Sequence, residues 1–230
     1  MKSDAKSTIE TGKAILGIEL GSTRIKAVLI DQENKPIAQG NHTWENQLVD
    51  GLWTYSIEAI WSGLQDCYAD LRSNVKNLYG IEIENLAAIG VSAMMHGYMP
   101  FNAKEEILVP FRTWRNTNTG RAAAALSDLF VYNIPLRWSI SHLYQAILDN
   151  EAHVKDIDFL TTLAGYVHWQ LTGEKVLGIG DASGMLPIDP TIHNYSAEMV
   201  AKFDKLIAPN QYNWTLQDIL PKVLSAGESA

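Results

Sequence analysis

Glu19, Gly21, Ser22 and Thr23 crowd a carboxylate, a glycine and two hydroxyls into five residues. A tight turn there would expose backbone N–H groups as well. A concave set of such donors suits a phosphate, and the carboxylate suits a cation or its bound waters. The same glycine can also serve only to make the turn. A second group follows downstream, with Met95 and His96 just before Gly97, and Trp114 and Asn116 in the aromatic and polar run Phe111–Thr117. A flat ring beside amide and guanidinium groups is what a sugar or polyol needs, because C–H faces pack on rings while hydroxyls require donors and acceptors. Trp114 equally suits a core position, and His96 equally suits a hydrogen-bonded loop. Asp181, within Gly178–Gly184, reads as a base or as a brace of its own loop, with bracing the better match to the spacing.

The elements that must position these groups are legible around them. Two apolar, β-branched runs in Ala14–Asp31 flank the Gly-Ser-Thr turn and predict a hairpin with the chemistry at its tip. A polar turn at 32–35 and a third strand at Pro36–Thr43 complete a meander. Apolar residues three and four apart from Ile57 to Leu78 predict one long helix, with Ser56 as its N-cap and Gly80 as its stop. Leu86–Val91 is apolar without alternation, as in a strand covered on both faces, and His96 follows its end, where open α/β sheets place ligands. Met99–Phe101 and Ile107–Val109 predict a small hairpin. Helices are predicted at Gly120–Phe130, Ser139–Leu148 and Leu160–Leu171, with His142 and Gln145 solvated or between helices. Gly178–Gly184 reads as a flexible polar turn.

Eighteen basic and twenty-six acidic side chains among 230 residues leave a formal charge of −8, which argues against general attraction to nucleic acid or an anionic membrane. A local anion site must then rest on backbone donors or a few placed side chains. Cys67, the single cysteine, falls at helical spacing among Leu64, Tyr68 and Leu71 and reads as a core thiol. His153 and His168 lack partners at metal-ligand spacing, so a zinc site has little support. Residues 1–12 are polar, without the apolar core of a signal peptide, and are read as a loose tail on a cytoplasmic protein. Residues 13–230 are read as the folded domain.

Several of these motifs, in this order, resemble the N-terminal half of the FGGY carbohydrate kinases and, within them, the xylulokinase group. Ile18–Thr23 resembles the family's D-x-G-T-T/S phosphate turn, and Gly90–Gly97 resembles its G-x-S-G-Q-M-H-G stretch. Trp114–Asn116 resembles W-x-D, and Leu171–Glu174 with Asp181–Gly184 resembles T-G-E followed by D-A-S/A-G-T. The resemblance implies an α/β, ribonuclease H-like (actin-like ATPase) domain, with a mixed sheet of about five strands, an antiparallel meander and helices on both faces. It implies ATP and Mg2+ as cofactors and phosphoryl transfer to a ketose such as xylulose or a related polyol. Gly21, Ser22 and Thr23 would face the phosphates, Glu19 would hold magnesium through water, and His96, Met95, Trp114 and Asn116 would line the sugar.

The sequence departs from the family at Glu19 and Asn116, where aspartates are usual, and at Ala93-Met94, where Gly-Gln is usual. The catalytic aspartate motif is expected beyond Ala230, so no catalytic residue is assigned, and the partners implied are the sugar and a C-terminal nucleotide domain of the same kinase. Family members often self-associate, which adds a homodimer. The fragment alone is expected to be inactive. A sugar-binding or regulatory protein that kept the fold without the transfer is the alternative.

Overall fold

The structure, a computed structural model, describes residues 2–230. Its contacts divide the chain into two compact units, one comprising residues up to Gln47 with Tyr55–Met94, the other Leu48–Thr54 with Met95–Ala230.

The first unit begins with α1 (Lys2–Glu10), so the segment read as a loose tail is helical, with Ile9 buried. One apolar residue in a polar run gives little sequence signal, yet its burial is enough to dock a turn of helix. Then come β1 (Ile15–Leu20), β2 (Arg24–Ile30) and β3 (Pro36–Thr43), the predicted meander, with antiparallel pairing from Ile15↔Ile30 to Leu20↔Ile25. Alternation places Leu16, Ile18, Leu20, Ile25, Ala27 and Leu29 inside. After β3 the chain runs through a short hairpin, β4 (Gln47–Val49) and β5 (Leu52–Thr54), whose turn uses left-handed Asp50 and Gly51 and which belongs to the second unit.

The chain re-enters the first unit at α2 (Ile57–Tyr79). The Ser56 side chain accepts the Ala59 N–H, and left-handed Gly80 closes the helix with its N–H on the Lys76 carbonyl. Its buried stripe, Ile60, Cys67, Leu71 and Val75, packs over β2 and β3. Cys67 is the core thiol expected. Burial raises its pKa to about 11, and its Sγ–H donates to the Ile25 carbonyl.

Next, β6 (Ala88–Ala93) pairs in parallel with β1, giving a mixed sheet of order β3-β2-β1-β6. Four strands form here where about five were expected. The predicted cover over the last one is also missing among the described residues: β6 is an exposed edge, with Ile89 at 53%. An apolar run reports that a strand is suited to burial and is silent on what buries it.

In the second unit β7 (Met99–Phe101) pairs antiparallel with β8 (Phe159–Thr161). The predicted hairpin with Ile107–Val109 is reduced to a Phe101↔Ile107 bridge and a bond from Leu108 N–H to the Pro100 carbonyl. Residues 160–161 fall in the predicted helix Leu160–Leu171 but form strand β8. Their apolar character fits either state, and the helix begins only where Thr162 caps it by accepting the Gly165 N–H.

Helices α3 (Gly120–Phe130) and α4 (Ser139–Leu148) match their predicted bounds. With the later helix Ala197–Ile207 they supply much of a core that includes Tyr98, Leu126, Leu143, Leu160 and Phe203, while α5 (Leu163–Thr172) buries Leu163, Tyr166, Val167 and Trp169. Every residue of α4 from Ser139 to Ile147 is buried, so His142 is enclosed and not solvated. Gln145 does lie between helices, where it accepts the Ala122 N–H. The turn predicted at 178–184 contains α6 (Ile179–Ala182) after a short strand, β9 (Val176–Gly178).

Candidate functional site

The tip of the β1–β2 hairpin is built as a donor site. Its three carbonyls are each taken: Gly21 accepts the indole N–H of Trp44 at 2.7 Å, Ser22 the hydroxyl of Tyr55 at 2.5 Å, and Thr23 the backbone N–H of Trp44 at 3.3 Å. Trp44 and Tyr55 stack with centroids 4.1 Å apart, so the brace is rigid. The Gly21 N–H closes the turn on the Arg24 carbonyl. The N–H groups and hydroxyls of Ser22 and Thr23 have no hydrogen-bond partner among the described residues. These are the donors a phosphate would use, and they fit that group.

Glu19 is less well suited to a metal. Opposite it across the ladder stands Lys26, whose Nζ lies 3.2 Å from Glu19 Oε2, with both side chains about half exposed. Among the described residues no group of three or more His, Cys, Asp or Glu side chains could hold a metal ion. Magnesium needs only one or two carboxylates when phosphates supply the other oxygens, so Glu19 offers the minimum and already carries a cation.

His96 anchors the candidate polyol site of the second unit. It sits at φ +68°, and Gly97 follows at +112°, two left-handed residues in succession. A Cβ on Gly97 would meet Phe111 Cε2 at 2.6 Å and the Arg112 carbonyl at 2.9 Å, so only glycine fits. The Gly97 carbonyl accepts the Ser139 hydroxyl at 2.6 Å, and Tyr98 and Arg112 exchange backbone hydrogen bonds at 3.0 and 3.2 Å. Strain held this firmly is the kind found where a side chain must be aimed.

The imidazole lies against Gly184, where a Cβ would come 2.6 Å from Nδ1. Nδ1 is buried without a well-formed hydrogen bond, although the Gly184 backbone still favours its protonated form. Burial lowers the His96 pKa, opposed by the Gly184 backbone and Asp181 and reinforced by the charge of Arg137. With Nδ1 buried, the neutral ring meets a hydroxyl through Nε2, donating or accepting according to its tautomer.

Asp181 shares this environment. The Thr162 hydroxyl donates to its Oδ2 at 2.5 Å. Burial raises the carboxyl pKa against the opposing effects of Thr162 and His96. Asp181 thus ties the start of α5 to α6, which is the bracing role, and its charge is felt at His96. Trp114, half-buried, lies under the guanidinium of Arg137, with Cζ 5.3 Å from the ring centroid. Met95 is exposed at 44%.

Asn116 behaves differently from the sugar-facing group anticipated. It is buried, its Oδ1 accepts the Trp53 N–H at 2.9 Å, and its Nδ2 donates to the carbonyls of Trp53 at 2.8 Å and Thr113 at 3.0 Å. An aspartate could not make the two donations, so the amide is the group that clamps β5 to this segment. Arg115 then lies on the Trp53 ring, 3.9 Å from its centroid. Trp44, Tyr55, Trp53 and Arg137 were not identified from sequence, since pairings across 23 to 63 positions have no local pattern. The aromatic density of 44–55 was the one signal that could have pointed to them.

The fold is the ribonuclease H-like, actin-like ATPase domain. A solved structure titled as a xyloylose kinase from Brucella ovis matches it at a TM-score of 0.75 and 20% identity, over 94% of this chain and 43% of that one. The chain belongs to the FGGY family of carbohydrate kinases, whose N-terminal domain matches residues 14–230. Among curated relatives, a xylulose kinase of Klebsiella pneumoniae is 20% identical over 197 residues, covering 82% of this chain and 40% of the relative. Another, from Lactococcus lactis subsp. lactis, is 22% identical over 213 residues, covering 85% and 40%. The chain thus spans about 40% of the length of these relatives. No helix among the described residues is long and apolar enough to cross a membrane.

Proposed function

We propose that residues 13–230 are the sugar-binding domain of a kinase that transfers the γ-phosphoryl group of ATP to a hydroxyl of a ketose such as xylulose, or of a related polyol. In that reaction the hydroxyl oxygen bonds to the γ-phosphorus, the bond to the β–γ bridging oxygen breaks, and ADP departs. The hydroxyl proton passes to an aspartate expected beyond Ala230, in a longer protein that also carries the nucleotide domain. The observation that carries this reading is the strained, neutral His96 set against Gly184 and Asp181, an arrangement suited to holding a hydroxyl. His96 and Trp114 line the polyol. Asn116 holds the carbonyl of Thr113, the residue before Trp114, and Met95 borders the site.

The Ser22 and Thr23 donors support phosphate binding at the other unit. Bound magnesium would neutralise phosphate charge, held chiefly by the nucleotide with Glu19 in support. The relatives' names favour a ketose. A second reading, a sugar-binding protein without phosphoryl transfer, is favoured by the Lys26 ammonium standing at Glu19.

Calorimetric titration of residues 1–230 with D-xylulose, D-ribulose and glycerol, beside a His96→Ala variant, tests the site. Binding of one polyol that disappears in the variant is expected, and absence of binding by the folded chain would overturn a preformed half-site. Sugar phosphorylation by residues 1–230 with ATP would overturn the expected inactivity. In the longer protein, sugar-dependent ATP turnover separates the kinase from the second reading.

A further inference from the structure

The first turn of α4 grips both loops that bound the His96 ring. On one side the Ser139 hydroxyl donates to the Gly97 carbonyl at 2.6 Å, across 42 positions of sequence. On the other the Ile140 N–H, one of the amides a helix start leaves unpaired, donates to the Met185 carbonyl at 3.1 Å. Met185 follows Gly184, on which the imidazole lies, and the N–H groups of Gly184 and Met185 bond to the carbonyls of Asp181 and Ala182, each at 2.9 Å.

Ser139 is 1% exposed, and its hydroxyl does not serve its own helix. A serine at a helix start usually accepts an N–H of the first turn, but the N-cap position here is Trp138, which makes no side-chain cap. Ser141, two residues on and also buried, offers the contrast. Its hydroxyl donates at 2.8 Å to the Pro135 carbonyl, in the lead-in to the same helix. One serine fastens α4 to its own approach, the other to the His96 loop.

The peptide joining Gly97 to Tyr98 is held at both edges, its carbonyl by Ser139 and its N–H by the Arg112 carbonyl at 3.0 Å. A planar unit fixed on both sides cannot turn. Without the hydroxyl, the carbonyl of buried Gly97 loses its bond, and the permissive glycine backbone lets the plane rotate toward another partner. The left-handed backbone of His96, one residue upstream, then loses the anchor that sets where its ring points.

We infer that Ser139 is a positioning residue of the polyol site, holding the Gly97–Tyr98 peptide so that the His96 imidazole stays seated on Gly184 and aimed at a sugar hydroxyl. The inference rests on the reading of His96 as polyol-lining and adds a residue that acts through His96 and not on the sugar.

Calorimetric titration of residues 1–230 with D-xylulose, D-ribulose and glycerol, joined to an NMR pH titration of the His96 ring, tests it. The proteins are the wild type, Ser139→Ala, Ser139→Thr, Ser141→Ala and His96→Ala, each checked for folding by its thermal melt. Ser139→Ala should weaken polyol binding about tenfold or more and raise the His96 midpoint toward the ordinary value near 6.5 as the ring leaves its burial. Ser139→Thr keeps a hydroxyl and should restore both. Ser141→Ala removes the same kind of bond away from the His96 loop, so it should lower the melt by a comparable amount and move neither. Binding lost in His96→Ala but undiminished in folded Ser139→Ala, or an unmoved His96 midpoint there, would overturn the role of Ser139 and leave the half-site standing. Equal effects of Ser141→Ala on binding and midpoint would make Ser139 a support of the core and overturn its role as well. No polyol bound by the folded wild type would remove the half-site and this inference together.

Discussion

The hairpin tip of the first unit and the His96 loop of the second present functional groups by opposite means. At the tip, three carbonyls are tied back by Trp44 and Tyr55, no non-glycine residue is left-handed, and the donors lie open. At the loop, two left-handed residues are pressed onto Phe111 and Gly184, and the side chain that matters is half-buried. Hydrogen bonds made by two aromatics suffice where the backbone itself is to meet a ligand. Where one imidazole must be aimed, the backbone is forced and the surrounding packing has to hold it there.

Substitution at Gly97 tests that contrast most severely. Gly97→Ala adds a methyl group where φ is +112° and Phe111 and the Arg112 carbonyl already lie within 3 Å. A loss of about 3 kcal/mol or more in urea unfolding is expected, together with polyol binding. A loss below about 1 kcal/mol would show that the loop relaxes freely.

Acid should separate the units next. Burial drives the His142 pKa to about 3 and that of His153 to about 4, from an ordinary value near 6.5 in the unfolded chain. Below about pH 6.5 the unfolded state binds more protons, so stability falls with pH until each folded-state value is passed. Between pH 6.5 and 5 the loss is on the order of 2 kcal/mol for each histidine. Neither nitrogen of His142 has a hydrogen-bond partner among the described residues, whereas His153 Nε2 meets the Tyr98 hydroxyl at 2.8 Å. His142→Leu should therefore flatten the pH dependence without costing stability at pH 7, read by denaturation at both pH values.

Gly184→Ala probes aim more than stability. Its methyl would displace the His96 ring, so polyol affinity should fall about tenfold with a smaller change in melting. Equal damage to both would mean that His96 serves the core. The smallest effect is expected at the tip. Tyr55→Phe removes the bond to the Ser22 carbonyl but keeps the stack on Trp44, costing about 1 kcal/mol. Phosphate titration followed by NMR should show weaker shifts of the Ser22 and Thr23 amides, with the His96 resonances unmoved.

Much of this was written locally. Alternation fixed β1 and β2, and a 3.6-residue stripe between Ser56 and Gly80 fixed α2 with both caps. Gly21, Ser22, Thr23 and His96 stood out because a carboxylate, a glycine and two hydroxyls crowd one predicted hairpin tip and a histidine follows a predicted strand end. Local pattern failed at Leu160-Thr161, where apolar residues suit helix and strand alike, and at His142 it left a solvated and an interhelical place open until burial excluded the first.

The chain's sequence by itself determined its family and the meander, and it marked the candidate residues for a phosphate and a polyol. Period, capping and turn chemistry act between near neighbours and can be read from one chain. Only the tertiary structure decided that Lys26 holds Glu19, that Asn116 clamps Trp53, that Trp44 and Tyr55 brace the turn, and that Arg137 lies over Trp114. Those contacts join residues that folding brings together across the chain or from separate elements, where burial and charge act through space and leave no trace in local order.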